Sequence, residues 1–466
     1  MRIDIDGASA VPCVAIMGHV GVGNLGDEAI IASIVARFRE RAPNVRLIAF
    51  TLNPRDTTAR HGIAAYPLRL YTERLLDKPQ PDLRWSSTYA AKSSVAPQVD
   101  AMQVRGIARW IRRLPLLKMI LRPLVVFLRW LPEFFAIIAF DWRSFRRLRG
   151  TTLMLWAGSG QVSDYVDGLG YPLVILRWTI LGRLRGAKVA FASAGAGPVT
   201  KKLSRAAFSL AFKLSHYRSF RDPYSLDVAR SLASPEPNHL VRDFAFSHPD
   251  LGRPPAAGGE QRRWIGINPL PFYGGEYWHI LDSSVYDRYV TAHAELAIGL
   301  LRNGHRVTLY PSNIRVDPRS VRRIVDCVRM LAPDVAPKLE LLSTLDDVPA
   351  LFDALRHFDA VVATRYHGVL LALACGTPAV GVVYHQKTRQ VAEHIGVGEW
   401  CINADVASGE ELLARVEGLL RNMDVARDVV RKRRLVDLRP LLEQYDLLAA
   451  MAGNRPSPFA QAARQA

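Results

Sequence analysis

At 466 residues, 49% of them hydrophobic, the chain is too long for one compact core and predicts two domains. A formal charge of +18 calls for acidic partners, either nucleic acid, an anionic membrane surface or small acidic substrates. Four scattered cysteines, Cys13, Cys327, Cys375 and Cys401, lack metal-ligand spacing and read as reduced thiols of a cytoplasmic protein, and the opening MRIDIDGASA is unlike a secretory signal.

Val11 to Met17 is short and apolar and predicts a first strand. The glycine-rich run Gly18 to Gly26 follows, and Asp27 and Glu28 then open a helix to about Arg41. Strand, glycine turn and helix begin a Rossmann-like unit. Gly21-x-Gly23-x-x-Gly26 matches a dinucleotide fingerprint, but Asp27 and Glu28 would repel a pyrophosphate at that helix start. The next strand, Val45 to Phe50, lacks the acidic residue expected for a ribose. Glu28 reads as a capping carboxylate. Asp27 is open between capping and facing a sugar hydroxyl as base or orienter.

Pro67 to Pro97 reads as loop with short helices. Residues 105–149 form a basic amphipathic insertion with Trp110, Trp130 and Trp142, many cations, and only Glu133 and Asp141 as carboxylates. Its prolines and arginines argue against a spanning helix. Two readings stay open: an interfacial hairpin on an anionic membrane surface, and a pair of core helices with a solvated basic face. Aromatics interleaved with Leu and Ile argue against nucleic acid as the partner. Thr152 to Trp156 is the next strand and ends in Gly158-Ser159-Gly160, where Gln161 and Asp164 could bond a sugar. Lys188 to Ala192 ends in a second small-residue loop, 193–198. Arg221 and Asp222 at a later strand end read as a pair that caps the following helix.

Residues 248–262, rich in Pro, Gly and Ala, mark the boundary between domains 11–250 and 262–450, and the tail 454–466 has the composition of disorder. The second domain restarts the alternation of strand and helix at Trp264. Its densest stretch runs from Asp359 to Lys387. Ala360 to Ala363 is a strand, Thr364 to Gly368 a polar loop, Val369 to Cys375 a small-residue helix, and Ala379 to Val383 a strand followed by Tyr384, His385 and Lys387. Ligands bind at such strand ends in open α/β sheets, and a cationic crevice with an imidazole suits a phosphorylated or carboxylated substrate. Cys375 reads as a packing residue.

Arg365-Tyr366-His367-Gly368 with Gly376-Thr377-Pro378 and Tyr384-x-x-Lys387, together with Gly23-Asn24-Leu25-Gly26-Asp27-Glu28-Ala29, resembles the polysaccharide pyruvyl transferases. Arg221-Asp222-x-x-Ser225 and the Val241 to Phe246 segment resemble further motifs of that family, whereas Ser159 interrupts its usual run of three glycines. The resemblance implies a glycosyltransferase-B-like fold, two Rossmann-like domains facing a cleft. It also implies transfer of an enolpyruvyl unit from phosphoenolpyruvate to two sugar hydroxyls, with no cofactor and no metal. Arg365 and Lys387 then suit the donor's anionic groups, and His367 and Asp27 the proton transfers. Asn24, Gly26, Gly158, Gly160, Tyr384 and His385 complete the expected site. A glycan acceptor carried on a lipid would explain a basic insertion at the inner face of the cytoplasmic membrane. The alternatives are a nucleotide-sugar glycosyltransferase of the same architecture and a non-catalytic membrane-associated subunit of polysaccharide assembly.

Overall fold

The computed structural model describes residues 11–76, 85–86, 132–165, 169–252, 263–274, 282–384, 389, 393 and 398–453. Residues 91–149 form one compact unit and the rest of the chain another. Within the larger unit lie two all-parallel sheets.

In the first sheet, β1 (Cys13–Met17) is fully buried and central. It pairs on one side with β2 (Arg46–Thr51), which in turn pairs with β3 (Ala64–Pro67). On the other side come β5 (Thr151–Ala157), β6 (Lys188–Ala194), β7 (Tyr217–Phe220) and β8 (His239–Leu240). Continuous apolar runs such as CVAIM read this way because helices cover both faces of a parallel sheet. The strand order reverses between β1 and β5, and the crevice at such a switch point is where ligands bind. The loops leaving β1 and β5 carry Gly18 to Gly26 and Gly158 to Gln161.

The second sheet repeats the plan. β9 (Trp264–Asn268) lies between β10 (Arg306–Leu309) and β13 (Ala360–Ala363). The edges are β11 (Glu340–Leu341) on one side and β14 (Ala379–Val383) with β15 (Ile402–Asn403) on the other. Its switch point therefore falls between β9 and β13, at Thr364 to Gly368. A two-stranded antiparallel ribbon joins β4 (Trp85–Ser86) to β12 (Thr344–Leu345).

Helix starts follow local chemistry. α1 (Leu25–Arg41) is capped by Asn24, whose side chain accepts the Gly26 N–H, with Asp27 and Glu28 in the first turn. α7 (Pro223–Ser231) is capped by Asp222 and begins with Pro223. α11 (Tyr366–Ala374) begins three residues earlier than the sequence suggested, so Tyr366, His367 and Gly368 belong to its first turn and not to a loop. The helix Met423–Ala452 contains Pro440, which removes a ladder donor. This helix packs on α1, on β5 and on α11, so it touches both sheets' layers. Gln444 accepts from Tyr217 Oη at 3.0 Å and donates to Ser193 Oγ at 2.9 Å. Tyr445 is buried against Phe38 and Phe244 and shares a 3.0 Å hydrogen bond with Ser247.

Candidate active site

The two switch points meet. Leu25 N–H donates to Ser312 O and Ile314 N–H donates to Gly23 O, both at 2.9 Å, and Asn24 forms an antiparallel bridge with Asn313. The start of α1 is thus stitched by main chain to the loop that leaves β10. That loop is pinned by Asp317, which is fully buried and accepts from the Ser312 N–H at 3.0 Å and the Asn313 N–H at 2.7 Å. Arg365 completes the brace. Its Nε lies 2.9 Å from both Asp317 carboxylate oxygens, in a side-on bidentate pair across 48 residues of sequence. One carboxylate therefore links the Arg365 motif to the Asn24 motif.

His367 stands on the other side of this seam. Gly26 lies so near it that a Cβ on Gly26 would sit 2.3 Å from His367 Cβ and 2.5 Å from Nδ1. Only a residue without a side chain lets the first turn of α1 approach the imidazole. The other ring nitrogen, Nε2, is buried and lies 3.6 Å from an Asp243 oxygen. Asp243 is itself fully buried. It caps a short 3-10 helix (Phe244–Ser247) and accepts from Arg221 Nη1 at 2.7 Å. Burial alone would raise its pKa, but the facing His367 imidazole and the Arg221 charge outweigh it and hold the carboxyl down to about 2. Arg221 in turn lies 4.2 Å over the Tyr366 ring and 3.6 Å from Asp222. Asp222 accepts from the Ser225 N–H through its other oxygen, so the pairing and capping read from the sequence are both present.

The remaining candidates fall into place around these two clusters. Asn24 donates to Asp27 Oδ2 at 2.6 Å, which orients that carboxylate beside Gly26. Glu28 does more than complement a helix dipole. Fully buried, it accepts from the Gly21 N–H at 2.7 Å and meets His61 Nε2 at 2.9 Å, tying down the glycine-rich turn. Gly158 has a positive φ of 51°, and a Cβ there would strike Ile30 of α1 at 2.8 Å. Gly160 is exposed and faces open space. The two small-residue loops zip together through Gly195 N–H to Ser159 O at 2.8 Å. Gln161 and Asp164 are engaged inside the protein. Gln161 bonds Ala157 O at 2.8 Å, and Asp164 accepts from the Thr200 and Lys201 N–H groups at the start of α6 (Lys202–Lys213). Tyr384 is half-buried beside Phe272, with ring centroids 5.7 Å apart. His385 and Lys387 lie outside the described residues. Burial pushes the Cys375 thiol up to about 12, which suits packing and not nucleophilic attack. No group of three or more metal-ligating side chains occurs among the described residues. A cavity of about 220 Å³ opens between α1, His61, His248 and Val348, but none of the sequence-predicted site residues lines it.

Sequence reasoning missed Asp243 and Asp317. Asp243 carries a signal in the family-like Val241 to Phe246 segment, and Asp317 carries none that spacing alone reveals.

Two parallel-sheet Rossmann-like domains joined at their switch points define a glycosyltransferase-B-like protein. A UDP-N-acetylglucosamine 2-epimerase from Listeria monocytogenes shares this fold with a TM-score of 0.51 at 12% identity, covering 96% of this chain and 98% of the other. Staphylococcus aureus MnaA, solved with UDP, does so with a TM-score of 0.50 at 9% identity, covering 96% and 99%. No curated protein matches in sequence. The family model for polysaccharide pyruvyl transferase matches residues 24–386, most of the chain. The protein belongs to the polysaccharide pyruvyl transferase family and is a transferase.

Proposed function

We propose that the enzyme moves an enolpyruvyl group from phosphoenolpyruvate onto two hydroxyls of a glycan precursor and closes a pyruvate ketal. One sugar oxygen bonds to the central carbon of the donor as the methylene carbon gains a proton. The carbon–oxygen bond to phosphate then breaks, and the second hydroxyl oxygen takes the vacated position. Of the two hydroxyl protons, one ends on the new methyl group and one leaves with phosphate.

The observation that carries this reading is the contact of His367 with Gly26, with Asp243 behind the ring. An imidazole held against an ionised carboxylate can take a proton from a hydroxyl and return it to the methylene carbon, because its cationic form is balanced. Nε2 is turned toward Asp243, so Nδ1, on the Gly26 side, is the nitrogen assigned to the substrate. Asp27, oriented by Asn24, serves as a second base or as the residue that aligns the sugar. Arg365 and Lys387 supply positive charge for the donor's phosphate and carboxylate, and Asp317 fixes the direction of the Arg365 guanidinium. The acceptor is assigned to a lipid-linked glycan worked on at the inner face of the cytoplasmic membrane, a reading supported by the basic composition of residues 105–149.

Phosphate release from phosphoenolpyruvate by the purified protein, with a panel of lipid-linked and nitrophenyl sugars, tests the proposal. Release is expected to need both a sugar and His367, and His367→Ala is expected to abolish it. Binding of a nucleoside diphosphate without any release would replace this reading with glycosyl transfer. Absence of release and of ligand binding would replace it with a non-catalytic subunit.

A further inference from the structure

Residues 132–147 form a helix, α4, within the smaller unit. Phe140, Ser144 and Leu148, spaced four apart, are buried. A second apolar stripe is not. Phe134, Phe135, Ile138 and Trp142 are 56%, 60%, 48% and 62% exposed. At about 100° per residue these four side chains fall within an arc of about 100°, the width of a face made to be covered. Four large apolar side chains side by side form a patch and not a scatter of single residues. Arg143, Arg146, Arg147 and Arg149 follow in the last turn and just beyond; Arg146 projects about 20° past one edge of the stripe, and Arg149 lies in the turn after the helix. Asp141 lies about 20° past the other edge and Glu133 well away from the stripe. A second copy of this chain seated on the stripe would find no carboxylate within it to answer the arginines, whereas an anionic bilayer supplies phosphates and an apolar layer together.

We propose that α4 docks the protein on an anionic phospholipid surface, with Phe134, Phe135, Ile138 and Trp142 in the headgroup layer and Arg146 and Arg149 on lipid phosphates. At 1.5 Å per residue α4 is about 24 Å long, shorter than a bilayer's hydrocarbon core, and it ends in arginines, so it lies in the plane of the surface. None of the described helices is long and apolar enough to cross a membrane. The inference deepens the lipid-linked reading of the acceptor given above and does not depend on the chemistry at His367.

The test is sedimentation of the full chain with phosphatidylcholine vesicles, with and without phosphatidylglycerol, at low and high salt. The protein is expected to pellet with phosphatidylglycerol vesicles at low salt and to be released as salt rises. Arg146→Ala and Arg149→Ala are each expected to weaken binding about fivefold, the weight of about 1 kcal/mol per surface cation. Phe135→Ser with Trp142→Ser is expected to weaken it at least tenfold, on the order of the apolar area withdrawn. Circular dichroism verifies that these exposed substitutions leave the fold intact. Phosphate release with a soluble sugar is read in parallel and is expected to be unchanged in every variant, so failure of docking and failure of pyruvyl transfer are told apart. Three results would each overturn the assignment: no pelleting with phosphatidylglycerol, pelleting that ignores the variants, or variant-sensitive self-association without lipid by analytical ultracentrifugation.

Discussion

Two buried arginine–aspartate pairs lie on either side of one seam, and they are built differently. In the Arg365–Asp317 pair the carboxylate accepts from the guanidinium and from two backbone N–H groups. In the Arg221–Asp243 cluster the carboxylate accepts from Arg221 and from the Ala245 N–H, but atoms around it go unpaired. Arg221 Nε, Asp222 Oδ2 and His367 Nε2 are all buried with no hydrogen-bond partner within normal distance. A saturated buried ion pair is scaffold, since breaking it strands a charge. A cluster with unsatisfied atoms is costly to keep, and such costs concentrate where a ligand or a moving proton uses them. The first pair therefore holds the two domains' loops together and fixes the Arg365 guanidinium, and the second backs the ring of His367, to which the proposed function gives the proton transfer.

Substitutions can break that contrast. Asp317→Ala strands a buried guanidinium and is expected to cost about 3–5 kcal/mol of stability in urea unfolding. A loss within 1 kcal/mol would remove the scaffold role. Asp243→Asn keeps the shape and removes the charge. Its carboxyl is held down to about 2 against an unfolded value near 3.9, so it contributes about 2–3 kcal/mol that is fully present above pH 4 and lost as pH falls toward 2. The variant is expected to lose that acid-limb slope in pH-dependent unfolding and to slow phosphate release about 100-fold near neutral pH. Normal turnover with the slope gone would make Asp243 structural only. Gly26→Ala drives a methyl into the His367 ring and is expected to cost about 1–3 kcal/mol, with turnover falling further than donor affinity. Gly160→Ala meets nothing within 4 Å and is expected to shift stability by less than about 0.5 kcal/mol. If a sugar rests on Gly160, its KM rises while kcat holds, and calorimetry beside steady-state rates separates the two.

The contrast also shows what the sequence could say. Alternation of apolar runs with helical stretches made the centres of both sheets legible, because each central strand is written in four to seven contiguous residues, whereas the two-residue edge strands β8 and β15 leave no such run. The pairing of the Gly26 and His367 motifs was legible only through family resemblance. The start of α11 was misplaced because Tyr366 and His367 look like loop chemistry, while the helix needs only Arg365 in extended backbone to begin. Glu28 looked like an ordinary first-turn carboxylate, and its true partner, His61, lies 33 residues away. Asp317 could not be found at all, because its meaning rests on contacts with Ser312, Asn313 and Arg365 that only the folded chain assembles. The Arg221–Asp222 reading was correct as far as it went, but it stopped at neighbours in sequence and missed Asp243.

The helix Met423–Ala452 carries a consequence for how the protein is made. Gln444 and Tyr445 seal surfaces of the first domain at Tyr217, Ser193, Phe244 and Ser247. On the ribosome, the first sheet emerges long before the segment that closes it. About 200 residues separate Ser247 from Tyr445, and at 5–20 residues per second their synthesis takes on the order of 10–40 s. For that interval the nascent first domain exposes the apolar ground of Phe38 and Phe244. Removing the Met423–Ala452 helix would make the exposure permanent, so this late-synthesised helix acts as the clasp of the first domain.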